Sequence, residues 1–181
     1  MPRNKVQQLP AEKRQEIVDA ARTLFLEVGY ESTSMTAIAA AAGVASNTIY
    51  WYFKDKDELL VAVLDAELEQ GLSKFLNSPA ADSTSRLLMV VNQLQQASRL
   101  VATVHARMHL SPAIGVWHDR FHELSEMLIQ SEMNEAGIPP ERAKSLVKIW
   151  IFTVEGLLAH PTSEEEKREI CAVLAGGASH Q

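Results

Sequence analysis

Apolar side chains recur every three or four residues along almost the whole chain, and this spacing constrains the fold more than any other feature. In the first such segment, residues 10–28, the apolar positions share one side of a helix. No segment alternates apolar and polar residues for long enough to predict a strand. The β-branched and aromatic segment from Thr48 to Phe53 would be a lone strand without a partner for its hydrogen bonds. The sequence therefore predicts an all-α protein with no internal repeat.

Glycine, proline and capping residues divide this helical pattern into elements. After the first helix, two short helices are expected over residues 35–42 and 46–53, and a long one over 57–76. Further helices are predicted near residues 83–97, 99–109, 112–136, 140–159 and 164–175. Asp55 with Glu58, and Ser163 with Glu166, have capping-box spacing at two helix starts. The turn-forming residues 77–79 separate two predicted domains, residues 1–56 (with a connecting helix to about residue 76) and residues 77–181.

Composition and charge restrict the function. The 181 residues include one cysteine, Cys171, which excludes an internal disulfide and a cysteine-rich zinc site. No apolar run is long enough to span a membrane, and the N-terminus lacks the apolar part of a secretory signal, so a cytoplasmic protein is expected. The net charge of −6 argues against a nucleic-acid partner, but residues 1–56 carry +1 and the remainder carries −7. The acidic charge therefore belongs to the second domain and does not exclude DNA binding by the first.

Residues 35–54 have the pattern of a helix-turn-helix. Two helices that cross steeply need a small residue at the crossing, which Ala39 provides. Four residues later, Gly43 supplies the left-handed backbone of a tight turn. The apolar positions expected to pack the two helices together are Ile38, Ala42, Val44 and Ile49.

The outward face of the second short helix is aromatic. With Ile49 and Phe53 facing inward, the residues that face outward are Asn47, Thr48, Tyr50 and Trp51. Large exposed aromatic side chains promote aggregation, so this face is expected to meet a partner. A DNA major groove fits, because thymine methyl groups meet aromatic edges while base edges and phosphates meet hydroxyls and amides. The alternative is that another helix covers Trp51.

A dense set of short motifs lies within residues 10–65. They are Gly29-Tyr30, Thr33-Ser34-Met35, Ile38-Ala39, Ala42-Gly43-Val44 and Thr48-Ile49-Tyr50-Trp51-Tyr52-Phe53, followed by Lys56 and Leu59. Together they resemble the DNA-binding domain of tetracycline-repressor (TetR) family regulators; the rest of the chain resembles that family only in its helical layout. The resemblance implies a dimeric, one-component regulator, usually a repressor, in which a small molecule in the C-terminal domain releases double-stranded DNA. Tyr52 stands where many members have His.

The resemblance also implies which side chains contact the DNA operator. One group would lie near the DNA backbone at the first motif helix, a second would form the leading edge of the recognition helix, and a third would reach thymine methyl groups, sugars and phosphates. In that order they are Ser34 and Thr36; Ser46, Asn47 and Thr48; and Tyr50, Trp51, Tyr52 and Lys56. Ser46 and Asn47 lie at variable positions, so the operator sequence cannot be transferred. Arg3 and Lys5 would either reach a minor groove or form a disordered tail without a role.

The helix predicted over residues 140–159 is apolar on almost every side from residue 143 onward. A helix without a polar face must be covered on both sides, so a homodimer is expected, with complete burial in one monomer as the alternative. With the last helix, it matches the family's dimer-forming pair, which doubles into a four-helix bundle. The candidate interface residues are Trp150, Val154, Leu158, Ile170, Val173 and Leu174.

A ligand cavity is expected among the helices between about residues 85 and 155. Its candidate lining residues are Val101, Val104, His105, Met108, Trp117, Phe121, Leu124, Met127, Phe152 and Glu155. Residues at such spacing also form ordinary core, which is the alternative. Glu155, inside an apolar run, would anchor a cationic or hydroxylated ligand, or would lie at a solvated edge of the dimer interface.

Two histidine pairs with four-residue spacing leave a further alternative. His105 with His109, and His118 with His122, each share a helical face, and together they would bind zinc or nickel or titrate as a pH switch. No Ser-His-acid constellation and no glycine-rich phosphate loop is found, so neither an enzyme nor a cofactor is expected. The sequence predicts a homodimeric repressor released by a small molecule. The alternatives are a helical module without ligand response, and a metal- or pH-responsive regulator.

Overall fold

The computed structural model of the protein describes residues 11–78, 82–135 and 137–179. These residues form eight α-helices and no strand, which confirms the predicted all-α class. The helices are α1 (Ala11–Glu27), α2 (Met35–Ala41), α3 (Lys56–Leu76), α4 (Ser83–Gln96), α5 (Ser98–Arg107), α6 (Pro112–Glu135), α7 (Pro140–Ala159) and α8 (Glu164–Ser179). The basic tail residues Arg3 and Lys5 lie outside the described residues.

Both predicted capping boxes are present at the starts of their helices. At α3, the backbone N–H of Glu58 donates to Asp55 Oδ1 at 2.9 Å, and the Glu58 carboxylate accepts from the backbone N–H of Lys54 at 2.6 Å. At α8, Ser163 and Glu166 each accept a hydrogen bond from the other's backbone N–H, at 3.2 and 3.0 Å. These bonds satisfy N–H groups that a helix start leaves free, and they fix where α3 and α8 begin.

The main hydrophobic core joins the N-terminal helices to α5 and α6. Ile17 and Phe25 of α1, Ile38 of α2 and Leu59 of α3 are buried in it. The members of the same cluster that come from α5 and α6 are Leu100, Val104, Ile114 and Trp117. The core therefore continues across the turn at residues 77–79, and a displacement of α5 or α6 would be felt by the first three helices through direct packing.

Helices α4, α7 and α8 share a separate, smaller core. Leu87 and Val91 of α4 pack there with Leu157 of α7 and Cys171 of α8. Lys167 of α8 is also buried, and its Nζ donates to the side-chain oxygens of residues 92 and 95 on α4 at 3.3 and 2.7 Å. A buried ammonium needs such acceptors, so these bonds fix α8 against α4.

The recognition helix predicted over residues 46–53 is wrong in type and length: the structure has one turn of 3₁₀ helix, Ile49–Trp51. The backbone N–H of Thr48 donates to Ala45 O at 2.8 Å, and that of Trp51 to Thr48 O at 3.1 Å, so three-residue hydrogen bonds close the segment. β-branched and aromatic residues lose side-chain freedom in an α-helix, and so short a segment cannot offset the cost of helix nucleation.

Candidate nucleic-acid interface and ligand cavity

The 3₁₀ turn sorts its side chains into a buried pair and an exposed pair. Ile49 and Phe53 are 0% and 1% exposed, whereas Tyr50 and Trp51 are 53% and 68% exposed. The outward aromatic face expected from the sequence is therefore present, although the backbone is not α-helical. No other part of the described structure covers Trp51, so the aromatic face is available to a partner.

The polar residues predicted to contact DNA surround this aromatic face in the sequence and are accessible. Ser46, Asn47, Ser34 and Thr36 are exposed, and Thr48 and Tyr52 are half-buried. Ser34 is also the N-cap of α2, where its Oγ accepts from the backbone N–H of Ala37 at 3.1 Å. The tight turn before this segment is made by Gly43, whose φ of 65° lies in the left-handed region. The helix-turn-helix geometry thus rests on the glycine that the sequence indicated.

Lys56 occupies a more internal position than a phosphate contact requires. Its Nζ donates to the backbone carbonyls of Tyr30 at 2.7 Å and Thr33 at 2.9 Å, and it lies 4.1 Å from the centre of the Tyr30 ring. Burial lowers the pKa of this ammonium group. Lys56 therefore ties the start of α3 to the loop between α1 and α2, and only its remaining N–H is available for a phosphate.

A charged cluster that the sequence did not indicate connects α5 to the start of α3. Arg107, in the last turn of α5, donates through Nε and Nη2 to the two carboxylate oxygens of Asp57, both at 2.9 Å. The hydroxyl of Tyr30 donates to the same carboxylate. Burial opposes ionisation of Asp57, but hydrogen bonds from Arg107, Tyr30 and Ser111 outweigh it and lower the pKa of the carboxyl group. Asp57 is next to Lys56, so this cluster joins α5 to the helix-turn-helix region.

A cavity of about 370 Å³ lies among α1 and α3 to α7, next to this connection. Six of the ten predicted ligand residues line it, namely Val101, Val104, His105, Trp117, Phe121 and Glu155. Four do not, namely Met108, Leu124, Met127 and Phe152; Met127 borders a more open groove between α6 and α7. The indole N–H of Trp150 is buried at the cavity wall without an acceptor among the described residues, which is the state of a donor that a ligand can satisfy.

Three histidines meet at one side of the cavity. The Nε2 atoms of His118 and His122 are 3.1 Å apart, and the rings of His105 and His118 are 5.6 Å apart between centroids. His109 is exposed and does not line the cavity. In the part of the chain that the structure describes, no three His, Cys, Asp or Glu side chains are arranged to hold a metal ion. Burial, and then the neighbouring His118, lower the pKa of His122.

The outer surface of α7 and α8 exposes large apolar side chains. Ile149, Phe152 and Val173 are 48%, 68% and 74% exposed. Of the six residues predicted for a dimer interface, Val173 is the exposed one. The others are half-buried against the cores within the chain or at the cavity wall: Trp150, Val154, Leu158, Ile170 and Leu174.

Comparison with known proteins places these features in context. Residues 17–63 match the model of the family described as bacterial regulatory proteins, tetR family. The chain is 28% identical to the HTH-type transcriptional regulator AcrR of Shigella flexneri, over 94% of this chain and 91% of that protein. It is 38% identical to the HTH-type transcriptional repressor KstR of Mycolicibacterium smegmatis, over 48% of this chain and 43% of that one. The solved structure of Salmonella enterica GusR has the same fold, with a TM-score of 0.74 and 21% identity over 97% of both chains.

These relatives are named as regulators, in agreement with the expectation of a regulator rather than an enzyme. Among the described helices, none has an apolar stretch long enough to cross a membrane.

Proposed function

Because this chain belongs to the tetR family of bacterial regulatory proteins and is a DNA-binding transcriptional regulator, we propose that it acts as a cytoplasmic homodimeric repressor. It binds a palindromic operator and leaves it when a small molecule enters the cavity. The observation that carries the proposal is the exposed aromatic face of Tyr50 and Trp51, held on a turn whose other side chains are buried. Such a face has the shape and chemistry for thymine methyl groups in a major groove.

Two features support a response to a small molecule. The cavity has a volume within the range of ligand pockets and a buried indole donor without an acceptor, so it is suited to hold an organic compound. Helix α5 lines this cavity with Val101, Val104 and His105, and one turn later it binds Asp57 through Arg107. A ligand that displaces α5 would therefore change the position of α3 and the turn before it.

The dimer follows from the exposed apolar surface of α7 and α8. Ile149, Phe152 and Val173 would be costly in contact with water, and a second copy of the chain would bury them by two-fold symmetry. Two symmetric recognition turns then match two operator half-sites about one helical turn of DNA apart.

The first experiment identifies the operator and then tests release. Genome-wide mapping of the bound DNA provides a candidate duplex, and fluorescence anisotropy compares it with a scrambled duplex of equal length at physiological salt. We expect tight binding of the operator alone, since the net charge of −6 gives weak non-specific attraction. Equal binding of both duplexes would contradict the proposal. Operator binding that no cavity ligand changes would instead favour a helical DNA-binding module without ligand response.

A further inference from the structure

One carboxylate at the cavity has no cationic partner among the described residues. Three acidic residues line the cavity, and two of them form ion pairs: Glu67 with Arg22, and Glu132 with Arg86. Glu155 on α7 differs, because the basic group within 4 Å of it is the imidazole of His122, whose Nε2 is 3.8 Å from Oε1. The remaining basic lining residue, Lys74, is exposed in the last turn of α3.

His122 does not neutralise Glu155 at neutral pH. Burial lowers the pKa of the imidazole, the proximity of His118 lowers it further, and the attraction of Glu155 does not compensate. The ring is therefore uncharged near pH 7. A carboxylate beside a largely apolar cavity is then left with an unbalanced negative charge, which an incoming cation would offset.

The walls near this carboxylate are aromatic. Trp117 and Phe121 of α6 both line the cavity, with ring centroids 5.4 Å apart and ring planes nearly parallel. Aromatic faces attract cations through their quadrupole, and they also bury the apolar body of a ligand. The imidazoles of His105 and His118 add polar but uncharged edges. A carboxylate and aromatic rings around one apolar space are the groups that recognise an organic cation.

We propose that the effector is an organic cation with an apolar body and one ammonium-type group, and that Glu155 contacts the charged group. The proposal names the ligand class of the proposed function and rests on it for the effect on DNA. Binding itself does not depend on DNA, so the two can fail separately.

The test uses two probes that differ in charge and hardly in shape. These are 4-phenylbenzyltrimethylammonium and its neutral carbon isostere 4-neopentylbiphenyl, in which carbon replaces the nitrogen. Binding to the full chain is followed by the intrinsic fluorescence of Trp117 and Trp150, which both line the cavity. A quaternary ammonium donates no hydrogen bond, so a preference for it measures charge alone. We expect the cation to bind about tenfold or more tightly than the isostere.

Two variants locate the charge that causes the preference. Glu155→Gln keeps the size of the side chain, and it should lower the affinity for the cation about tenfold while leaving the affinity for the isostere unchanged. Glu123→Gln is the matched control, because this exposed α6 residue does not line the cavity and the change in net charge is the same. It should leave both affinities unchanged. Melting temperatures of the variants check that they are folded.

Three outcomes would overturn the proposal: equal or tighter binding of the isostere, unchanged cation binding by Glu155→Gln, or no binding of either probe at millimolar concentration. The comparison of probes with the unaltered protein decides the question even if Glu155→Gln is unstable. A separate measurement adds the cation to the protein–operator complex. If the cation binds through Glu155 and DNA stays bound, the ligand class stands and release by ligand is contradicted.

Discussion

At the scale of single residues, the turn after α2 separates the side chains that stabilise the fold from those free to bind. Ile49 and Phe53 are buried in the main core, and each contributes the transfer free energy of a large apolar side chain, about 2 kcal/mol. Tyr50 and Trp51 keep more than half of their surface in contact with solvent. Their replacement should therefore affect binding far more than folding.

Replacing Trp51 or Tyr50 by alanine tests this separation. We expect each substitution to weaken operator binding by about 1–3 kcal/mol and to change the melting temperature little. Anisotropy titrations with the operator duplex measure the first effect and thermal unfolding the second. Phe53→Ala is the contrast, since loss of this buried ring should destabilise the protein by about 3–5 kcal/mol. Unchanged operator affinity in both exposed variants would show that this face does not contact DNA.

His122 should make the stability of the protein depend on pH. Its pKa is lowered from the ordinary value of 6.5, first by burial and then by His118. The other titratable groups that act on it are Glu155 from α7, His105 from α5 and Glu126 from α6. Because the folded-state pKa lies below the unfolded one, this contribution to stability is present above pH 6.5 and is lost as the pH falls through the folded-state value.

The measurement is the urea midpoint of unfolding between about pH 7.5 and 5.5. We expect the midpoint to fall on acidification, and to fall less in His122→Phe, because the unfolded state of that variant no longer gains the proton. His109→Phe removes an exposed histidine outside the cavity and should retain the pH dependence of the unaltered protein. The same slope in all three proteins would rule out His122 as its source.

At the scale of elements, α5 is the helix that touches both the cavity and the start of α3. Its last turn carries Arg107, whose two hydrogen bonds to Asp57 hold a planar, bidentate geometry. Arg99, two turns earlier, instead donates to the backbone carbonyl of Glu27 at the end of α1 at 2.7 Å. The two arginines thus fix α5 to different partners, which allows the contact with α3 to be tested separately.

Replacing Arg107 by alanine should uncouple the cavity from the DNA-binding region. The variant leaves Asp57 half-buried without its cation, so we expect a loss of about 1–2 kcal/mol in the free energy of unfolding, less than for a fully buried pair. The ligand should still bind, but it should change operator affinity less than in the unaltered protein. Arg99→Ala is the control and should retain the ligand effect. Full ligand release of DNA by the Arg107 variant would mean that coupling takes another route.

Local sequence patterns were sufficient for the helix ends but not for the orientation of α7. The first helix was predicted over residues 10–28 and lies at Ala11–Glu27, since proline, glycine and capping residues act over a few positions. In α7, Trp150, Val154 and Leu158 were assigned to a dimer interface but line the cavity, whereas Phe152 was assigned to the cavity but is exposed. A helix that is apolar almost all round has no polar face to fix its rotation.

The Asp57–Arg107 pair could not be predicted from the sequence either. The two residues are 50 positions apart, and their partnership depends on how α5 packs on α3. Conversely, Gly43 was predictable, because a positive φ is a local requirement that glycine meets at no steric cost. The contacts that carry a signal across this fold are tertiary, and spacing along the chain does not report them.

At the scale of the whole molecule, exposed apolar area and charge occupy different regions. The exposed apolar residues of α7 and α8 belong to the part of the chain after residue 56, which carries a charge of −7, whereas residues 1–56 carry +1. An acidic C-terminal part would be repelled by DNA and turned away from it. In a two-fold dimer through α7 and α8, the nearly neutral N-terminal parts would then be the ones that approach DNA.

Replacing Phe152 by glutamate tests this assembly. Phe152 is 68% exposed, so the substitution should leave the folded monomer intact, but in a dimer it would bury two carboxylates at a two-fold interface. We expect a monomer by analytical ultracentrifugation and a loss of at least about 100-fold in affinity for a palindromic operator, because two half-sites are no longer bound by one particle. Leu110→Glu is the control, since Leu110 is an equally exposed apolar residue between α5 and α6, away from α7 and α8. A Phe152→Glu protein that remains dimeric and binds the operator normally would place the interface on another surface.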